Sequence, residues 1–137
     1  MSCVFCAIVA GESPASVVDE DEAVVAFMDI LPVTAGHTLV IPRRHALGLA
    51  DLEDREGGAM FAVARRVAAA LRRSGFRCEG INLFVADGLA AGQEVFHVHL
   101  HVLPRFPGDG FGLRIDRPGP PDRATLDEQA AVIRAVL

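Results

Sequence analysis

The nine residues "HVHLHVLPR", His97 to Arg105, place three of the chain's five histidines at alternate positions between aliphatic side chains. In an extended strand such a pattern projects His97, His99 and His101 from one face at intervals of about 6.5 to 7 Å, while Val98, Leu100 and Val102 enter the core. A strand buried on both faces would be aliphatic throughout, because unpartnered imidazole is costly to bury. Two kinds of chemistry use such a row. One is a His-x-His metal site with an open position for water, as in a metallohydrolase. The other is a nucleophilic imidazole flanked by imidazoles that orient it and supply charge. His37 and His45, the remaining two, bracket the segment "HTLVIPRRH", so every histidine lies in one of two short stretches.

A second group of ligating residues opens the chain. Cys3 and Cys6 form a C-x2-C pair, and Cys78 stands alone. Three cysteines so spaced do not make a disulfide framework. The pair lacks a second C-x2-C, but His45 and His97 can complete a Cys2His2 tetrahedron, a closed structural zinc site; the competing readings are a redox CxxC pair, for which no thioredoxin-like βαβ context exists, and two inert thiols. The loop "AAGQEVF" precedes the histidine row and carries Gly92 and Gln93, where backbone amides could hold phosphate oxygens.

These residues need a scaffold, and the pattern supplies one. The opening "CVFCAIVAG" reads as a short helix ended by Gly11. "SVVDED" and "AVVAFMD" read as strands about an acidic turn, and His37 to Pro42 as a third strand. From Asp51 to Ser74 the apolar spacing becomes helical through Met60, Ala64, Val67 and Leu71. "GINLFVAD" and "HVHLHVLP" are the fourth and fifth strands. "TLDEQAAVIRAVL" closes the chain as a helix, with Thr125 and Glu128 at capping-box spacing. The expected fold class is α+β: a five-stranded antiparallel sheet with one long helix and terminal helices. One domain is expected over residues 1–137, with its motif-bearing core at about 3–112 and a helical tail at about 122–137.

Composition narrows the partners. The net charge of -5 argues against a broad nucleic-acid surface. All 13 basic residues are Arg, so lysine Schiff-base and lysyl-nucleotidyl mechanisms are excluded. No apolar run reaches the roughly 18 residues of a membrane span, and "MSCVFCAIVAGESP" lacks a basic leader region. The expected location is cytoplasmic.

The segments "DILPVTAGHTLVIPRRH", "AAGQEV" and "HVHLHVLPR", with the opening "CVFCAIVAGESPA", resemble the histidine triad (HIT) hydrolases, whose signature is His-φ-His-φ-His-φ-φ. The resemblance covers about Cys3 to Gly112, and its pattern falls among the small bacterial members, between the Hint and Fhit branches. It implies cleavage of the α-phosphate bond of nucleoside phosphoramidates, nucleotidyl anhydrides or dinucleoside polyphosphates, through a nucleotidyl-histidine that water then hydrolyses. His99 would be the nucleophile, oriented by a backbone carbonyl near His97, with His37 behind the triad. His101 and the amides of Gln93, Glu94 and Val95 would stabilise the phosphate oxygens. Asp29 would accept hydrogen bonds from the ribose hydroxyls. Phe5, Ile8, Phe27 and Ile30 would form an apolar slot for a purine. Members with this opening also suggest zinc on Cys3, Cys6, His45 and His97, and the family implies a homodimer through the long helix. The chain departs from the pattern at Ala86, where members often carry Asn or Gln, and at Glu94, where they carry Ser or Thr. Those departures keep open a second reading, a nucleotide-binding or scaffold protein with little catalysis.

Overall fold

The computed structural model describes residues 2–137. Five strands form one antiparallel sheet: β1 (Val17–Glu20), β2 (Val24–Met28), β3 (Thr38–Pro42), β4 (Gly80–Val85) and β5 (Leu100–Arg105). Their spatial order is β1-β2-β3-β5-β4. Three helices accompany them, α1 (Val4–Val9), α2 (Asp54–Arg73) and α3 (Arg123–Arg134). The α+β expectation holds. Among the described residues, no helix is long and apolar enough to cross a membrane.

Both faces of the central strands are covered, which is why β2 and β3 read as apolar runs. Val24 and Ala26 of β2, Val40 of β3 and Leu100 and Val102 of β5 pack against Met60, Val63, Ala64, Val67 and Leu71 of α2. Those helical positions recur at the spacing of a single apolar stripe. The alternate residues Val25, Phe27, Leu39 and Ile41 meet Phe5 of α1 on the other face. Val63 is wholly buried, and a side chain of that size contributes roughly 1.5–3 kcal/mol by leaving water. The period-two alternation thus assigns one layer to α2 and the other to the histidine-bearing face.

Three boundaries differ from the sequence expectations. The ladder of β5 begins at Leu100, not His97. β3 pairs with it through Val40 and ends at Pro42, which has no amide to donate. The lead-in stays extended because the Val98 amide donates to the Ala46 carbonyl at 2.8 Å. The long helix starts at Asp54, since Leu49–Asp51 forms a separate 3-10 turn and Leu52 is extended. In α3 the cap is Asp122, whose carboxylate accepts the Thr125 amide at 2.8 Å; Thr125 itself lies inside the first turn. Aspartate is the stronger cap, so it defines the end. Among the described residues, α3 buries no side chain.

Gly36 sets the entry to β3 with φ of +94°. A Cβ there would lie 2.8 Å from Leu71 of α2 and 3.2 Å from Pro104 of β5, so only glycine lets the turn lie flat against the core. That close approach fixes His37, the next residue.

Candidate active site and metal-ligand cluster

A cavity of about 510 Å³ opens on the face away from α2. α1 supplies Phe5 and Ile8, β2 supplies Phe27, and the loop after it supplies Asp29 and Ile30. β4 and its exit contribute Phe84 and Ala86, and the loop before the histidines contributes Gly92, Glu94 and Val95. The imidazoles of His37, His99 and His101 also line it. His97 does not: its ring turns toward the cysteines, so the three histidines do not share one cavity as the strand period alone suggests.

Hydrogen bonds determine which nitrogen of each ring carries the proton. His99 Nδ1 lies 2.8 Å from the His97 carbonyl, an obligate acceptor, so Nδ1 donates and Nε2 keeps its lone pair. The Val33 amide donates to His37 Nδ1 at 3.1 Å, which puts the His37 proton on Nε2. That proton is donated to His101 Nδ1 at 2.9 Å, leaving the His101 proton on its own Nε2. His97 Nε2 donates to the Pro42 carbonyl at 2.8 Å, so its Nδ1 is left as a base. Two rings thus present a lone pair, on His99 and His97, and one presents a donor, on His101.

Burial keeps the supporting rings neutral. His101 is pushed down to about 4, first by desolvation and then by its neighbours His99 and His37. Desolvation also lowers His37, against the opposing pull of Asp29, and lowers His97, against the Pro42 hydrogen bond. Phe84 stands edge-on to His101, with ring centres 5.5 Å apart. Phe5 stands edge-on to both His97 and His99, at 5.9 and 5.3 Å.

Asp29 is half-committed. Its Oδ1 accepts the Leu31 amide at 2.9 Å, and its Oδ2 lies 3.5 Å from His37 Nε2. Ile30 is almost fully exposed at the rim. Gln93 is the misfit among the expected binding residues. Its side chain is buried and ties the loop together, donating to the Leu47 and Val95 carbonyls at 2.7 and 3.1 Å and accepting the Gly88 amide at 2.8 Å. Its own amide donates to the Gly88 carbonyl. Gln93 therefore builds the loop, and Glu94 and Val95 are the residues that reach the cavity.

The second cluster lies behind the first. The donor atoms of Cys3, Cys6, His45 and His97 all fall within 4.8 Å of one another. His97 Nδ1 is 3.5 Å from Cys3 Sγ and 3.6 Å from Cys6 Sγ, and His45 Nδ1 is 3.2 Å from Cys6 Sγ. Zinc bonds of about 2.3 Å to sulfur and 2.0–2.1 Å to nitrogen give tetrahedral S···N edges of about 3.6 Å. The donor set and its spacing fit that ion. Desolvation and the neighbouring Cys3 both raise the Cys6 thiol, so thiolate here calls for a cation. Asp29, His37 and His101 are also within 4.8 Å of one another, but there the two rings share a proton.

Two supports carry little sequence signal. Arg44 donates to both carboxylate oxygens of Glu56, at 2.9 and 2.8 Å, and so pins the segment bearing His45 to α2. Glu56 is buried on that helix, and the Arg44 hydrogen bonds hold its carboxyl below the usual range. The Thr34 hydroxyl donates to the Pro104 carbonyl at 2.7 Å and fastens the loop that carries Asp29 and Val33. Arg44 beside His45 in "PRRH" was a legible hint; Thr34 and Phe84 were not.

The fold and site together define a class: a small α+β protein whose second of three alternating histidines offers an unprotonated nitrogen to an apolar cavity. Comparison with known proteins places it more closely. The chain belongs to the HIT family, whose HIT domain model matches residues 10–108. It is similar to a HIT family protein from Bacillus anthracis, with 38% identity, a TM-score of 0.93, and coverage of 99% of this chain and 97% of that one. A zinc-bound histidine triad family protein from Mycobacterium smegmatis shares 45% identity over 96% of this chain and 98% of its own, with a TM-score of 0.78. A histidine triad nucleotide-binding protein from Candida albicans shares 28% identity over 98% and 96%, with a TM-score of 0.88.

Proposed function

We propose that the protein is a nucleotidyl hydrolase acting through His99. The carrying observation is the hydrogen bond from His99 Nδ1 to the His97 carbonyl, which leaves the Nε2 lone pair for the cavity. That lone pair attacks the α-phosphorus of a nucleoside phosphoramidate, nucleotidyl anhydride or dinucleoside polyphosphate. The bond from phosphorus to the leaving group breaks, and the leaving group departs with its electron pair. Water then attacks the nucleotidyl-histidine, returns the pair to His99 and releases a nucleoside monophosphate.

The other residues take supporting roles. His101 donates from Nε2 to a phosphate oxygen, positioned by His37, and the Glu94 and Val95 amides add to that stabilisation. Asp29 accepts from the ribose, and Phe5, Ile8, Phe27 and Ile30 sandwich the base. Cys3, Cys6, His45 and His97 hold a structural zinc, which ties α1 to the lead-in of β5. His97 joins the two clusters: its Nδ1 faces the cysteines while its carbonyl holds His99. The ring's turn away from the cavity favours this reading over an open zinc centre built on the histidine row. The similarity to one zinc-bound and one nucleotide-binding histidine triad protein supports the same two assignments.

A homodimer is part of the reading, formed through α2. Phe61 is more than half exposed on that helix, and sedimentation at micromolar concentration reports the assembly. For activity, the test is release of AMP from adenosine 5′-phosphoramidate. His99→Ala should abolish turnover and still bind AMP, and the parent should form an acid-labile adduct on His99. An adduct on another histidine would overturn the assignment. Nucleotide binding without turnover in the parent would establish the scaffold reading instead.

A further inference from the structure

The charge of the cavity says what can leave from it. Its acidic side chains are Asp29 and Glu94, and among the described residues no arginine lines it. The chain has no lysine. His37 and His101 are held neutral by burial, so neither ring balances the carboxylates. Asp29 is turned to the Leu31 amide and His37. Glu94 is different: it is exposed at the mouth, on backbone clamped by the Gln93 bond to the Val95 carbonyl. The described ion pairs give it no basic partner. Phe84 and Ala86, which also line the cavity, bring no donor to an anion.

We infer that Glu94 makes the cavity selective for leaving groups that carry positive charge, so that its preferred substrates are nucleotidyl conjugates of cationic amines and not polyphosphates. This rests on the proposed nucleotidyl hydrolysis and names its substrate class. A single phosphate at His99 is served by neutral donors. A chain of further phosphates extending toward the mouth meets a carboxylate, an aromatic ring and no cation. An ammonium on the leaving group meets a carboxylate that it can pair with, Glu94.

The test uses three adenosine 5′-phosphoramidates of matched length, whose amine chains end in ammonium, methyl or carboxylate, together with diadenosine tetraphosphate. An exposed charge pair is worth up to about 1 kcal/mol, or about fivefold. The parent's kcat/KM should therefore fall about fivefold from ammonium to methyl and again from methyl to carboxylate. Diadenosine tetraphosphate should rank below the methyl compound. Glu94→Gln should compress the series to within about twofold, while Glu22→Gln, the same charge change in the β1–β2 turn, should leave the order intact. A flat series in the parent, or an unchanged order in Glu94→Gln, overturns the inference. Titrating the same compounds into His99→Ala protein reads the preference without cleavage. Absence of turnover in the parent with a graded affinity series would therefore overturn the hydrolase reading alone, and a flat affinity series would overturn this one.

Discussion

Phe5→Ala tests whether α1 is part of both the core and the site. The ring is 7% exposed and sits edge-on to Phe27 at 5.4 Å, to His97 at 5.9 Å and to His99 at 5.3 Å. Truncating a buried phenylalanine costs about 3–5 kcal/mol, and each edge-to-face pair contributes roughly 0.5–1.5 kcal/mol of that beyond burial. α1 has only six residues, far below the length at which a helix holds itself, so its docking depends on this side chain and on the cysteines. Local release of α1 limits the global loss to the lower end, about 3 kcal/mol. Phe5→Leu keeps most of the burial and loses the aromatic contacts, and should cost about half as much. Urea unfolding measures both. In the phosphoramidate assay Phe5→Ala should also raise KM about tenfold, equivalent to about 1.4 kcal/mol of lost binding. A stability loss under about 1 kcal/mol with unchanged KM would show that the helix neither completes the core nor walls the slot.

Two further outcomes follow from the site. His37 and His101 have folded pKa values below the ordinary 6.5, with His101 at about 4. Between those values the unfolded chain binds protons that the folded chain refuses, so their contribution is full above about 6.5 and is lost as pH falls toward 4. The urea midpoint should decline across that window, and an NMR titration placing His101 above 6.5 would contradict the burial described here. If Cys3, Cys6, His45 and His97 hold zinc, the purified protein should carry about one ion per chain, and chelation should lower Tm. Protein prepared without chelator and found free of metal would remove the cluster from the reading.

Much of this molecule was written in periods and spacings. The apolar runs of β2 and β3, the helical stripe from Met60 to Leu71, the HIT motif and the Cys3–Cys6 pair were all visible, because burial on two faces, helical period and ligand reach each leave a mark in the sequence. The faces of the histidine row were legible for the same reason. Its division was legible only in part, through the expected zinc set of Cys3, Cys6, His45 and His97. Alternation brings His97, His99 and His101 to one side of the chain, but it does not say where each ring turns. His97 turns to Cys3 and Cys6, 94 and 91 residues away, because Pro42 at the end of β3 offers its carbonyl to Nε2. His101 is a donor because Val33 caps the far nitrogen of His37. Gln93 faces inward because three groups of the surrounding loops need partners. Phe84 reaches the cavity because β4 pairs with β5 so that it lies opposite His101. Ring orientation and proton position are set by single acceptors that only the folded chain brings near, and those choices, more than the row of histidines itself, decide which nitrogen can act as a nucleophile.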